Sequence, residues 1–216
     1  IDSEATLRRV IDHPELGHAA YGLGYDETLP WLLRDCHLTV TEGIAIMMGA
    51  LARDPEWLRD VAGFELEDSR GLLTAHAADA LVFTRWVLVM THFERELYAD
   101  PEADLDTIWW GLVSRFQGLT PPESRKAPDW AAKIHIACAP VYYHTYLYGH
   151  LIAAQLRAAI HRQVGGLVGR PEAGAFLRER VFAPGASVRW DHLLEQATGE
   201  PLAASFYAAE IAAAYD

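Results

Sequence analysis

The stretch LEDSRGLLTAHAADALVFTRWVLVMTHFERELY, residues 66–98, decides the fold class because its apolar side chains recur with the period of an α-helix. Asp100-Pro101-Glu102 follows at once and ends the predicted helix. No stretch of the sequence alternates apolar and polar side chains like a half-buried strand. The sequence therefore predicts an all-α fold. Further helices are predicted to begin at Asp54-Pro55-Glu56-Trp57 and to extend over residues 105–116 and 142–164, with loops at 169–171 and 183–185.

Length and charge restrict the classes of protein to consider. The 216 residues suffice for one sizeable core, so we expect a single all-helical domain over residues 1–216. Thirty acidic residues against 18 basic ones give a net charge of −12, which argues against a nucleic-acid or membrane partner. Cys36 and Cys138 form no C-x-x-C pair and suit a reducing cytoplasm. Because the first residue is Ile, we expect the native polypeptide to begin upstream.

The segment His13-Pro14-Glu15-Leu16-Gly17-His18 is an incomplete version of a zinc-peptidase motif. In H-E-x-x-H, two His four residues apart share one helix face, and the Glu between them activates water. Glu15 and His18 keep their required spacing, but Pro14 stands where the first His should be. His13 lies about 140° away from His18 around a regular helix. The two can ligate one metal only if the helix breaks.

Proline favours such a break because it is tolerated at the first turn of a helix but not inside one. We expect one helix from about Glu4 to Asp12 and a second that begins at Pro14, with His13 in the kink. A carboxylate follows 24 residues after His18, where Glu42 opens an apolar helix. Two ligands without a third would bind zinc weakly.

Several motifs occur in a fixed order and together resemble the angiotensin-converting-enzyme-like M2 zinc metallopeptidases. The resemblance extends from about Glu15 to the C-terminus and implies the C-terminal part of that family's all-α fold, a helical peptidase-like lobe. The family's fold has a deep cleft between two lobes, and we expect the N-terminal lobe to be absent here. The motifs are Glu15-Leu16-Gly17-His18, Thr41-Glu42-Gly43, Trp109-Trp110, Phe116-Gln117-Gly118-Leu119-Thr120-Pro121-Pro122, Lys133-Ile134-His135-Ile136 and Pro140-Val141-Tyr142-Tyr143-His144-Thr145-Tyr146.

The resemblance implies roles on the metal side of the site. By position, Glu15 corresponds to the general base, and His18 and Glu42 to the second and third zinc ligands. The departure at Pro14 removes the first ligand, and His13 is its only neighbouring substitute. We therefore expect no bound cofactor, or zinc if His13 completes the set.

The resemblance also implies roles on the substrate side. His135 and Tyr146 correspond to the pair that stabilises a tetrahedral oxyanion. Lys133 and Tyr143 correspond to the groups that hold a substrate's C-terminal carboxylate. Thr145 stands where chloride-binding relatives carry an Arg, so anion activation is not implied.

Packing offers an alternative explanation for most of these residues. The spacing is that of an aromatic stripe packing one face of a helix for Tyr142, Tyr143, Tyr146 and Tyr148. His135 is then a core histidine with satisfied hydrogen bonds. Lys133 has a local acid, Asp129, with which to pair. Cys36 and His37 precede Glu42 and offer substitute metal ligands.

Two hypotheses of different classes follow. In the first, the chain is a repurposed, non-proteolytic member of the family that acts with a companion chain or as a homo-oligomer. In this hypothesis it binds a carboxylate-bearing small molecule, peptide or carrier in a bacterial biosynthetic complex. In the second, it is a fragment of an active zinc carboxydipeptidase. The 51% apolar content and the incomplete metal motif favour the first hypothesis.

Overall fold

A computed structural model describes residues 15–123 and 127–216, and these residues form helices with no β-strand. The all-α prediction is confirmed. Two short 3₁₀ helices, Trp31–Leu33 and Asp129–Ala132, and a π-helical turn, Arg178–Phe182, connect longer elements. The α-helices are α1 (15–23), α2 (Leu38–Leu51), α3 (Pro55–Asp60), α4 (Ser69–Ala99), α5 (Leu105–Gln117), α6 (Ile134–Cys138), α7 (His144–Val164), α8 (Pro171–Leu177), α9 (Trp190–Thr198) and α10 (Ala204–Ala213).

The helix ends follow the local sequence signals. Asp54 caps α3 by accepting hydrogen bonds from the backbone N–H groups of Glu56 and Trp57. Gly118 ends α5 with a φ of 70°, a left-handed conformation that glycine adopts without steric cost. The predicted helices at 66–98, 105–116 and 142–164 therefore match α4, α5 and α7 within a few residues. The break predicted between Asp12 and Pro14 lies outside the described residues.

The chain divides into two compact units. Unit 1 contains the residues up to Ala75 together with Tyr148–Asp216, and unit 2 contains His76–Leu147. The expectation that residues 1–216 form one domain stays a prediction.

Unit 1 is built on close contacts between helix backbones. A Cβ atom on Gly17 would lie 2.7 Å from Ala45 Cα, so α1 and α2 approach more closely than any side chain there would allow. A large apolar cluster fills the interior around this contact. Its bulkiest fully buried members are Tyr21, Ile44, Met47, Ile152, Leu156, Ile160 and Leu193.

Unit 2 has a smaller core built from α4 and α5. Phe93 of α4 meets Trp109 of α5 edge to face, with ring centroids 5.1 Å apart. By length and composition α4 could cross a bilayer, because its most apolar 18 residues have a mean hydropathy of 1.4 and only 22% are buried. Core helices of soluble proteins pass the same test. The absence of a membrane partner therefore stays a prediction.

Candidate functional site

The residues assigned to the metal side lie in unit 1, on α1 and α2. His18 is half-buried, and its Nδ1 lies 2.8 Å from the hydroxyl oxygen of Thr41. The neighbouring Glu42 is only 7% exposed, and a Cβ on Gly149 of α7 would lie 3.0 Å from its Cβ. Glu15 is exposed on the first described turn of α1. Tight helix packing therefore fixes the positions of the two predicted ligands.

These residues do not make a complete metal site. Within residues 15–123 and 127–216, no three His, Cys, Asp or Glu side chains converge so as to hold a metal ion. Catalytic zinc sites ordinarily have three protein ligands, and Pro14 has no donor atom to offer. His13 lies outside the described residues. The described donor set therefore does not fit catalytic zinc.

The substitute ligands suggested by sequence proximity are engaged elsewhere or poorly suited. His37 Nε2 lies 2.6 Å from the carbonyl oxygen of Val188 and donates its proton there. Burial raises the pKa of the Cys36 thiol, and the nearby Asp35 carboxylate raises it further. Since the thiolate is the form that binds metals, this shift disfavours ligation by Cys36.

The residues assigned to the substrate side lie together in unit 2. His135 Nε2 is 3.1 Å from the hydroxyl oxygen of Tyr146. The His135 ring also meets the ring of Tyr143 edge to face at 4.8 Å, and the two tyrosine rings lie 5.2 Å apart. Phe83 of α4 borders both tyrosines, with ring centroids 6.4 Å and 6.2 Å away. The structure thus forms a single cluster, which we call the tyrosine cluster: Lys133, His135, Tyr143 and Tyr146.

Trp86 of α4 holds two members of the tyrosine cluster and was not identified from the sequence. Its indole Nε1–H donates to the hydroxyl oxygen of Tyr143 at 2.9 Å, and the Lys133 ammonium lies 5.0 Å above its ring. A signal for this role exists in the spacing. Phe83 and Trp86 are separated by one helical turn on α4, so they share a face.

The tyrosine cluster presents hydrogen-bond donors and a cation. Because the Tyr143 oxygen accepts from Trp86, its own proton remains to be donated to another group. Burial raises the pKa of Tyr143, although the indole bond opposes this, so the phenol keeps its proton at neutral pH. The Lys133 ammonium lies over the rings of Trp86 and Trp109, 5.0 Å and 5.9 Å from their centroids. A carboxylate is therefore the ligand that this arrangement fits.

The chain matches a known peptidase family along most of its length. The family model described as Peptidase_M2, angiotensin-converting enzyme, matches residues 5–206. Angiotensin-converting enzyme from Sus scrofa is 25% identical over 210 residues, covering 89% of this chain and 16% of the relative. The enzyme from Theromyzon tessulatum is 24% identical over 204 residues, covering 87% of this chain and 33% of the relative. This chain therefore spans a third or less of the length of these curated relatives.

Solved structures show the same fold. The M32 carboxypeptidase from Deinococcus radiodurans R1 superposes with a TM-score of 0.70 at 22% identity, over 94% of this chain and 48% of that one. The crystal structure of BsuCP gives a TM-score of 0.65 at 18% identity, over 94% of this chain and 47% of that one.

Proposed function

Because this chain belongs to the M2 peptidase family of angiotensin-converting enzyme, we propose that it is a repurposed, non-proteolytic member of that family. In this proposal it binds a carboxylate-bearing small molecule, peptide or carrier through the tyrosine cluster and acts with a companion protein. The observation that carries the proposal is the contrast between the two sides of the site. The substrate side is assembled, whereas the metal side has no third ligand among the described residues.

Carboxylate binding uses the donors of unit 2. Lys133 supplies a positive charge, and the aromatic face of Trp86 restricts where the ammonium can lie. Tyr143 supplies an O–H whose direction is set by the bond that its oxygen accepts from the indole. A charge-assisted hydrogen bond to a carboxylate is about twice as strong as a neutral one, so Lys133 dominates the affinity. His135 and Tyr146 share one hydrogen bond beside these two groups and border the same space.

The proposal of a companion chain rests on exposed apolar side chains. Leu23, Trp31 and Leu32 of unit 1 are all about four-fifths exposed, although large apolar side chains are usually covered. Ile134, next to Lys133 in the sequence, is also exposed. A partner protein, or a second copy of the chain, would remove this surface from water. A biosynthetic complex in a bacterial cytoplasm is the setting that we propose for such an assembly.

Titration with a carboxylate and its uncharged amide tests the proposal. N-benzoylglycine should bind the full chain at least about tenfold more tightly than N-benzoylglycinamide, because only the acid pairs with Lys133. Lys133→Ala should remove that preference and leave the melting temperature nearly unchanged. Arg95→Ala is the matched control, because Arg95 is another cation of unit 2 and is exposed. This variant should keep the preference for the acid. A Lys133→Ala protein that is less stable but retains the acid preference would contradict carboxylate recognition by the cluster.

Hydrolysis remains the second candidate function, favoured by the ordered pair of His18 and Glu42 in unit 1. If the chain is a fragment of an active zinc carboxydipeptidase, Glu15 serves as its general base and zinc must be supplied. Cleavage of an N-blocked tripeptide to a dipeptide in added zinc, lost in Glu15→Gln, would favour this function. Absence of such cleavage together with acid-selective binding would favour the repurposed protein.

A further inference from the structure

Val141 has an unusual backbone conformation next to the tyrosine cluster. Its φ is +56°, and among the described residues it is the one non-glycine residue with a positive φ. A β-branched residue is disfavoured in this left-handed region, because its Cβ substituents crowd the backbone. Val141 is 62% exposed, so burial of its own side chain does not explain the conformation. Another interaction must therefore stabilise this conformation. Residues in disfavoured backbone conformations cluster at functional sites, where they hold neighbouring groups in place.

That interaction comes from Glu94, a buried carboxyl group on α4. Glu94 is 8% exposed, and its Oε1 accepts a hydrogen bond from the backbone N–H of Val141 at 2.5 Å. The Tyr98 hydroxyl donates to the same oxygen at 3.1 Å. A carboxyl group away from water is costly unless it is hydrogen-bonded, and two donors meet this requirement. The bond therefore stabilises both the buried acid and the left-handed residue.

The residues that follow Val141 lead into α7, so the backbone conformation of Val141 sets the direction of the first turn of that helix. The carbonyl oxygen of Tyr142 accepts from both the backbone N–H and the hydroxyl of Thr145, and that of Tyr143 accepts from the N–H of Tyr146. These bonds start within two residues of Val141 and lead directly into the helix. A change of φ at Val141 would therefore redirect the tyrosine rings relative to the indole of Trp86.

We propose that Glu94 is a positioning residue: by fixing the left-handed conformation of Val141, it places Tyr143 on Trp86 and orients the tyrosine cluster. Its contribution to ligand affinity rests on the proposed function. Its effect on the position of Tyr143 does not, because the hydrogen bond to Trp86 exists without a ligand.

The experiment uses the indole ¹H–¹⁵N resonance of Trp86 in the full chain, assigned with Trp86→Phe. Glu94→Ala should move this resonance, because Tyr143 leaves the indole N–H. Glu94→Gln keeps a carbonyl acceptor and should restore most of the original position. Adding Val141→Gly to Glu94→Ala should also restore it, since glycine adopts a positive φ without support. Glu96→Ala removes an exposed acid of the same helix and should change nothing.

Each outcome decides the proposal. An unmoved resonance in Glu94→Ala, or failure of both Glu94→Gln and the Val141→Gly double variant to restore it, overturns the positioning role. If Glu94→Ala does not fold, the double variant must fold and show the Trp86 resonance at its original position. A double variant that does not fold, or that shows a shifted resonance, also overturns the positioning role. N-benzoylglycine should bind Glu94→Ala about tenfold more weakly than the unaltered chain. If the acid does not bind the unaltered chain while the resonance responds as expected, the proposed function fails and the positioning role stands.

Discussion

The two units retain their site residues for different physical reasons. In unit 1, Gly17 lies at a close helix contact that leaves no room for a side chain, so packing accounts for its position. In unit 2, Lys133 and His135 are only half-buried, and packing makes no comparable demand for a cation or an imidazole. Packing therefore explains the close helix contact of unit 1, but it does not explain the choice of polar side chains in unit 2.

The largest effect on stability should come from breaking the scaffold of unit 1. Gly17→Ala would place a methyl group 2.7 Å from Ala45 Cα, where backbone atoms cannot move aside cheaply. We expect a loss of about 1–3 kcal/mol in the free energy of unfolding, measured with urea. Gly174→Ala in α8 is the control, because its added Cβ would meet no atom within 4 Å beyond its chain neighbours and the nearby backbone of its own helix. It should be neutral or slightly stabilising. Equal losses in the two variants would contradict packing as the constraint at Gly17.

A smaller effect should appear in unit 2 at high pH. Burial raises the pKa of Tyr143, so the folded protein favours the neutral phenol more than the unfolded chain does. This contribution is complete below the ordinary tyrosine pKa of about 10 and is lost as the pH rises through the folded value. Above pH 10 the free energy of unfolding of the unaltered chain should therefore fall relative to that of Tyr143→Phe, which has no phenol to ionise. The same difference at pH 7 is the control, and a pH-independent difference would contradict burial of the phenol.

The fold could be predicted from the sequence because its helices begin and end at local signals. Asp54 and Gly118 act within a few residues of the helices that they cap, so their roles need no tertiary information. The π-helical turn at Arg178–Phe182 has no such signal in the sequence. The boundaries of unit 2 at His76 and Leu147 also fall inside α4 and α7, where the helical period gives no boundary.

The site was predictable only for residues that are close to one another both along the chain and in space. The resemblance to the M2 family indicated Lys133, His135, Tyr143 and Tyr146, which lie in one short segment of the chain. Trp86 and Glu94 were missed because they belong to a helix that the apolar period explains by itself. His37 shows the reverse case. It lies near Glu42 in the sequence and was considered a substitute metal ligand, but its ring bonds to the carbonyl oxygen of Val188, 151 residues away. The spacing of Phe83 and Trp86 shows that they share a helix face, but it does not show which distant residues that face contacts.

Zinc content tests the contrast between the units most directly. Protein purified without a chelator should contain well under one zinc per chain, because Pro14 offers no ligand, and Pro14→His should raise the content toward one by completing the set with His18 and Glu42. Stoichiometric zinc in the unaltered chain that disappears in His18→Ala would contradict the account and identify the metal side as functional.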